Sequence, residues 1–206
     1  MLKLEREYYS DEVQAIVGID EAGRGPLAGP VVAAAVVFPR DYQNEGINDS
    51  KQLTAKKRMA LFEEIKSHAL SYGIAFASAE EIDALNIYAA TKLAMKRALE
   101  QIDVPYQLIL TDAMPFVDLP VPVIPVIKGD AKAMNIAGAS ILAKVTRDLY
   151  MDELETKYPD FHFSVHKGYG TKQHLEELEK FGPIPGVHRK SFKPVMKFFQ
   201  TQLTLF

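Results

Sequence analysis

The feature that most constrains the fold is a junction near the N-terminus. The apolar run Ile16-Val17-Gly18-Ile19 leads into the acids Asp20-Glu21, then into Gly23-Arg24-Gly25-Pro26. A strand ending in two carboxylates and a bare-backbone turn can hold a divalent cation beside a polyanion. Adjacent residues of a regular strand face opposite sides, so a shared role for both acids predicts a break in the pleat at Asp20, supplied by Gly23 and Gly25. The exposed N–H groups of the turn and Arg24 offer donors to phosphate or sugar oxygens. Gly23-x-Gly25-x-x-Ala28 also fits a loose dinucleotide-binding pattern, but that pattern must open a helix. Here Pro30 and the strand-like run Val31 to Phe38 follow instead.

Further along, Tyr72 to Ala77 and Gln107 to Thr111 read as strands, the second ending in Asp112. Val123 to Ile127 reads as a last strand among prolines, closed by Lys128-Gly129-Asp130. Helices are predicted from Thr54, with Met59, Phe62, Ile65 and Ala69 at helical spacing, and from Asn86 to about Gln101. A long helix runs from about Asn135 toward Tyr158, where Pro159 stops it, and a short one runs from Thr171 to Gly182-Pro183. Lys56 and Lys57 in a first helical turn have the unfavourable sign for the helix dipole; they serve either a ligand or a solvated face. Strands followed by alternating helix and strand predict an α/β fold, a mixed sheet flanked by helices. Residues 1–14 read as an N-terminal segment, 15–182 as the main domain and 183–206 as a small C-terminal helical part with a tail.

Asp20, Glu21, Asp112 and Asp130 then converge at one sheet edge, and four like charges so close call for cations. The chain of 206 residues contains no cysteine, so thiolate ligands are excluded and hard oxygen ligands point to Mg2+ or Mn2+. His166, His174 and His188 fit no zinc spacing. The net charge of -3 does not exclude a nucleic-acid partner, because Lys51, Lys56, Lys57 and Arg58, then Lys128 and Lys132, then His188-Arg189-Lys190 form local basic groups. No apolar run is long enough to span a bilayer, and Met1 to Glu12 lacks a signal-peptide core. The default expectation is a cytoplasmic monomer.

Gly18-Ile19-Asp20-Glu21-Ala22-Gly23-Arg24-Gly25-Pro26-Leu27-Ala28-Gly29-Pro30 resembles the signature of ribonuclease HII. In order there follow Asp49-Ser50-Lys51, Lys128-Gly129-Asp130, Ala139-Ser140-Ile141-Leu142-Ala143-Lys144-Val145 with Arg147-Asp148, Lys167-Gly168-Tyr169-Gly170-Thr171 with His174, and His188-Arg189 with Ser191-Phe192. The resemblance covers about residues 15 to 195. It departs at Ala113-Met114, where many members have glycine and a small polar residue, and at Gly138, where alanine is common.

The resemblance implies a ribonuclease H-like mixed sheet, with Asp20, Glu21, Asp112 and Asp130 binding metal and carrying catalysis. It implies hydrolysis on the 5' side of ribonucleotides in RNA–DNA hybrids and of single ribonucleotides embedded in duplex DNA, leaving 5'-phosphate and 3'-hydroxyl ends. The Gly23-Arg24-Gly25 backbone would read the 2'-hydroxyl, Tyr169 would pack against the following deoxyribose, and Lys51, Lys144 and Lys167 would contact phosphates. Without the family, Tyr169 reads as a loop anchor. The rival readings are the sister ribonuclease HIII, which prefers runs of RNA, and a non-catalytic hybrid-binding module. The end of the tail, with Gln202, Leu203, Leu205 and Phe206, resembles the motif that docks bacterial repair proteins on the sliding clamp; the alternative is a terminal helix tucked onto the body.

Overall fold

The computed structural model describes residues 4–47, 50, 53–116 and 119–200. Lys51 and the tail residues Gln202, Leu203, Leu205 and Phe206 lie outside them.

Five strands form one mixed sheet: β1 (Ile16–Ala22), β2 (Val31–Val37), β3 (Ser71–Ala77), β4 (Leu108–Asp112) and β5 (Val123–Val126), in the order β3-β2-β1-β4-β5. β2 runs antiparallel to both of its neighbours, β1 and β3, whereas β1, β4 and β5 are mutually parallel. The parallel arrangement sends the C-terminal ends of β1 and β4 to the same edge. The helices are α1 (Ala55–His68), α2 (Ala79–Leu85), α3 (Ile87–Leu99), α4 (Met134–Lys157), α5 (Phe163–His166), α6 (Lys172–Phe181) and α7 (Lys193–Gln200).

One face of the sheet, with Val17, Ile19, Ala33 and Ala35, packs on α3 through Ala90, Ala94, Met95 and Ala98. The other face, with Ala34 and Val36, packs on α1 and α4. Alanine at so many contacts lets these layers approach closely. At Gly18 the approach is closest, since a Cβ there would lie 2.1 Å from the Asn135 carbonyl carbon. Asn135 Nδ2 also donates to the Ile16 carbonyl at 2.6 Å, tying α4 to β1.

The N-terminus of α4 has no side-chain cap of its own. Glu5, in a 3-10 turn over Leu4–Glu7, supplies one from far away in sequence: its Oε1 accepts from the N–H groups of Met134 and Asn135 at 2.6 and 3.1 Å. A carboxylate at a helix N-terminus satisfies orphan donors and complements the dipole. Burial nevertheless raises the Glu5 pKa, partly offset by those hydrogen bonds.

Several sequence expectations need correction. The pleat does not break at Asp20; β1 continues to Ala22, with Asp20 opposite Ala34 and Glu21 opposite Ala33 in the ladder to β2. Ahead of Asn86 lies a helix the sequence reading left out, α2, opened by a capping box between Ser78 and Glu81. Asn86 then caps α3 by accepting from the N–H groups of Tyr88 and Ala89. On α1 the buried residues are Leu61, Phe62 and Ile65, while Met59 lies largely exposed. The C-terminal stretch packs on α4 and α6, with Val187 and Val195 buried against Met151, Leu154 and Leu178. No helix among the described residues is long and apolar enough to cross a membrane.

Candidate active site

Three carboxylates meet where β1 and β4 end. Asp20 comes from β1, Asp112 closes β4, and Asp130 sits in the 3-10 turn Gly129–Ala131 that follows β5. One oxygen from each lies within 4.8 Å of the others. Asp20 and Asp130 are buried and Asp112 is half-buried. Local backbone geometry aims them. Asp112 is followed by Ala113 in the left-handed region (φ 52), and Asp130 is preceded two residues back by Lys128 in the same region (φ 55). The Gly129 N–H donates to Asp112 Oδ1 at 2.8 Å, linking the two acidic segments directly.

Burial drives the pKa of Asp20 well above the usual carboxylate range, and the charges of Glu21 and Asp112 push it further. Hydrogen bonds from the Glu21 N–H, at 2.8 Å, and from the Ser140 hydroxyl oppose that rise. Ser140 is in turn 2.9 Å from Ser50 Oγ, and Arg58 holds the Ser50 and Leu53 carbonyls. A cluster of hard oxygen donors under such mutual repulsion is chemically matched to a divalent cation.

Glu21 is not part of that three-acid cluster. An intact pleat turns its side chain to the opposite face from Asp20, yet at the end of the strand it still lines the same cleft and lies 3.3 Å from Arg24 Nη1. The cleft, about 270 Å³, is also lined by Gly23, Gly25, Ser50, Ser140, Lys144, Arg147 and Tyr169. Lys144 borders it, with its ammonium 2.5 Å from Asp148 Oδ1. Lys167 does not: its ammonium pairs with Asp152 and donates to the Asp148 carbonyl. Tyr169 is half-exposed over the glycine loop, and a Cβ on Gly25 would lie 3.7 Å from its ring.

The loop wall is organised by two residues that the sequence reading carried only in the family motifs and, for Arg189, in a local basic group. Arg147 and Arg189 are buried, and all six of their described hydrogen bonds go to backbone carbonyls. Arg147 donates to Pro30, Ala28 and Lys167, and Arg189 to Gly29, Arg24 and Gly23, at 2.6 to 3.1 Å. Burial lowers the Arg147 pKa to about 10; burial, followed by repulsion from Arg147, lowers that of Arg189 to about 9. Both remain cations at neutral pH. Gly23 (φ 98) must be glycine, because a Cβ would fall 2.1 Å from Arg147 Nε. The available signal was periodicity: Ser140, Lys144, Arg147 and Met151 recur at helical spacing along one face of α4.

Behind Tyr169 three imidazoles form a chain. Gly168 N–H donates to His166 Nδ1, so His166 Nε2 carries the proton given to Glu177 at 2.9 Å. Ile184 N–H donates to His188 Nδ1, His188 Nε2 donates to His174 Nε2 at 3.1 Å, and His174 Nδ1 donates to the Tyr169 carbonyl at 2.9 Å. Each ring is neutral in this pattern. Burial depresses His174 to about 4; burial and the neighbouring His174 depress His188 to about 3.

A family model described as ribonuclease HII matches residues 17–195. The chain belongs to the ribonuclease HII family. It is 51% identical over 195 residues to ribonuclease HII of Geobacillus kaustophilus, an alignment covering 95% of this chain and 74% of that one. Among solved structures it is similar to ribonuclease H2 from Pyrococcus horikoshii OT3, with a TM-score of 0.78 and 27% identity over 91% of this chain and 98% of that one. It is also similar to ribonuclease HII in a complex with PCNA from Archaeoglobus fulgidus, with a TM-score of 0.66 and 28% identity over 86% and 95% of the two chains. As a member of the ribonuclease HII family, the chain is an endoribonuclease of the ribonuclease H type, and its fold is the ribonuclease H-like α/β sheet.

Proposed function

We propose that this endoribonuclease hydrolyses the phosphodiester on the 5' side of ribonucleotides, in RNA–DNA hybrids and at single ribonucleotides embedded in duplex DNA. Products carry 5'-phosphate and 3'-hydroxyl ends. The observation that carries this reading is the cleft with two unlike walls: Asp20 and Asp112, which cluster with Asp130, on one side, and the Gly23-Arg24-Gly25 loop with Tyr169 on the other.

In this reading Asp20, Asp112 and Asp130 hold Mn2+ or Mg2+, with Glu21 contributing from the strand end. A divalent ion bound there supplies Lewis acidity and an activated water at the phosphodiester. The loop backbone receives the 2'-hydroxyl, which separates RNA from DNA. Tyr169 offers an apolar face to the neighbouring deoxyribose, and Lys144 reaches a phosphate once released from Asp148. Lys51, which follows Ser50 in the sequence, belongs to the same reading as a phosphate contact. Lys167, paired outside the cleft, serves phosphate only if it exchanges Asp152 for substrate.

The tail residues Gln202, Leu203, Leu205 and Phe206 complete the proposal as a sliding-clamp anchor, and the Archaeoglobus fulgidus relative, solved with PCNA, supports that part. Deleting residues 202–206 is expected to abolish clamp capture while leaving cleavage intact; clamp capture by the truncated chain would refute the anchor. The main reading is tested by mapping the products of two labelled substrates, a DNA duplex with one ribonucleotide and an RNA–DNA hybrid. A nick immediately 5' of the single ribonucleotide supports it. Cutting confined to the hybrid would point to the ribonuclease HIII type of preference.

A further inference from the structure

The peptide groups of the glycine loop are oriented by something outside the loop. Arg189 Nη2 donates to the Gly23 carbonyl at 2.6 Å and Nη1 to the Arg24 carbonyl at 3.0 Å. All peptide bonds here are trans, so the N–H of each peptide unit points opposite to its C=O. The unit whose carbonyl is Gly23's carries the Arg24 N–H, and the unit whose carbonyl is Arg24's carries the Gly25 N–H. With both carbonyls drawn back onto one buried guanidinium, both N–H groups are aimed away from it, on the side where Gly23, Arg24 and Gly25 line the cleft. Among the described residues these two N–H groups have no acceptor, whereas Leu27 N–H and Gly29 N–H, further along the loop, donate to the Gly168 and Val187 carbonyls.

We propose that Arg189 is the positioning residue for ribonucleotide recognition: it fixes and polarises the two peptide units that present the Arg24 and Gly25 N–H groups to the sugar hydroxyl. The guanidinium also lies 5.1 Å over the Phe192 ring and donates through Nε to the Gly29 carbonyl, but those contacts leave its two Nη donors free to set the loop. It has no carboxylate within ion-pair distance among the described residues, and burying a cation without one is costly. A cation bonded to a carbonyl also strengthens the donor at the other end of the same peptide unit, because hydrogen bonds in a chain polarise one another. Arg147 performs a different service. Its acceptors are Pro30, Ala28 and Lys167, whose peptide units do not carry the Arg24 and Gly25 donors, so it braces the loop against α4 and the Tyr169 segment.

The inference rests on the hydroxyl-reading role proposed above for the loop, and the experiment separates the two. The full chain carrying Asp20→Asn, which is expected to bind without cutting, is titrated with two labelled DNA duplexes identical except for one 2'-hydroxyl. Fluorescence anisotropy gives two dissociation constants, and their ratio measures the hydroxyl-dependent part of binding. Adding Arg189→Lys keeps the charge but loses the forked pair of donors. The ratio is expected to fall by about tenfold, toward one, with affinity for the all-deoxy duplex unchanged. An equal loss on both duplexes, or a preserved ratio, overturns the assignment. Should Arg189→Lys fail to fold, Arg189→Gln, which keeps one amide donor but loses the fork and the charge, takes its place; the same collapse is expected, and a preserved ratio again overturns the assignment. A reference protein that does not discriminate the duplexes at all sinks the hydroxyl-reading role as well, whereas discrimination that survives the substitutions defeats the Arg189 assignment alone.

Discussion

The two walls of the cleft are built on opposite electrostatic plans. The acid wall gathers Asp20, Asp112 and Asp130 within 4.8 Å, a concentration of negative charge matched to a cation from solution. The loop wall gathers two buried guanidiniums with no carboxylate within ion-pair distance among the described residues, held by six carbonyl dipoles, with Asp148 and Asp83 acting at longer range. On the function proposed above, the acid wall is completed by a metal and does the chemistry, whereas the loop wall is finished on folding and holds a shape, so removing a residue from each should fail in a different way.

The largest effect is expected at the acid wall. Asp130→Asn or Asp20→Asn should lower cleavage by roughly three orders of magnitude while leaving the thermal midpoint intact or higher, since like-charge repulsion is relieved. Cleavage rates beside a melting curve check this; a variant that loses activity only because it unfolds would contradict it. At the loop wall the signs reverse. Gly23→Ala drives a methyl into Arg147 at a position with φ 98, and should cost roughly 2 to 4 kcal/mol in urea unfolding. An alanine tolerated there would mean that the guanidinium does not hold the loop.

Acid sharpens the contrast further. His174 and His188 titrate at about 4 and about 3 when folded but near 6.5 when unfolded. With folded values below unfolded ones, their contribution is fully present above about pH 6.5 and is lost as pH falls toward the folded values. Each should cost about 1.4 kcal/mol per pH unit across that window. Urea midpoints at pH 7, 6 and 5 should fall accordingly, and a flat series would remove the neutral imidazole chain from behind Tyr169. The smallest effect is expected at Ala113, left-handed at φ 52. Ala113→Gly should stabilise by roughly 0.5 kcal/mol; a loss of stability would show that the methyl packs favourably.

The same contrast decides what could be read in advance. Each acid sits at the end of an apolar strand or in the turn behind one, so alternation, strand length and turn residues locate it locally. Parallel pairing of β1 with β4 and β5 then brings them together, and the sheet follows from the same signals. The face that Glu21 takes was not legible, because the sequence shows two adjacent acids but not whether the pleat survives between them. Five of the six contacts that organise the loop wall span 117 to 166 residues of sequence, and the sixth, from Arg147 to the Lys167 carbonyl, spans 20; helical periodicity puts Arg147 on one face of α4 but names none of these acceptors, and an arginine that donates only to carbonyls looks in a sequence like one on a surface. Helix α2 escaped for another reason: seven residues lie close to the shortest length at which helical periodicity is readable.

The central claim is that the acid wall holds the divalent cation on which cleavage depends. Its most direct test is cleavage of a duplex with one ribonucleotide by the metal-stripped chain, titrated with Mn2+ or Mg2+, in parallel with Asp130→Asn. The account predicts no product without added metal, saturable recovery in the unsubstituted chain, and no recovery in Asp130→Asn over the same range. Product in the presence of a chelator, or equal recovery by the variant, would contradict it.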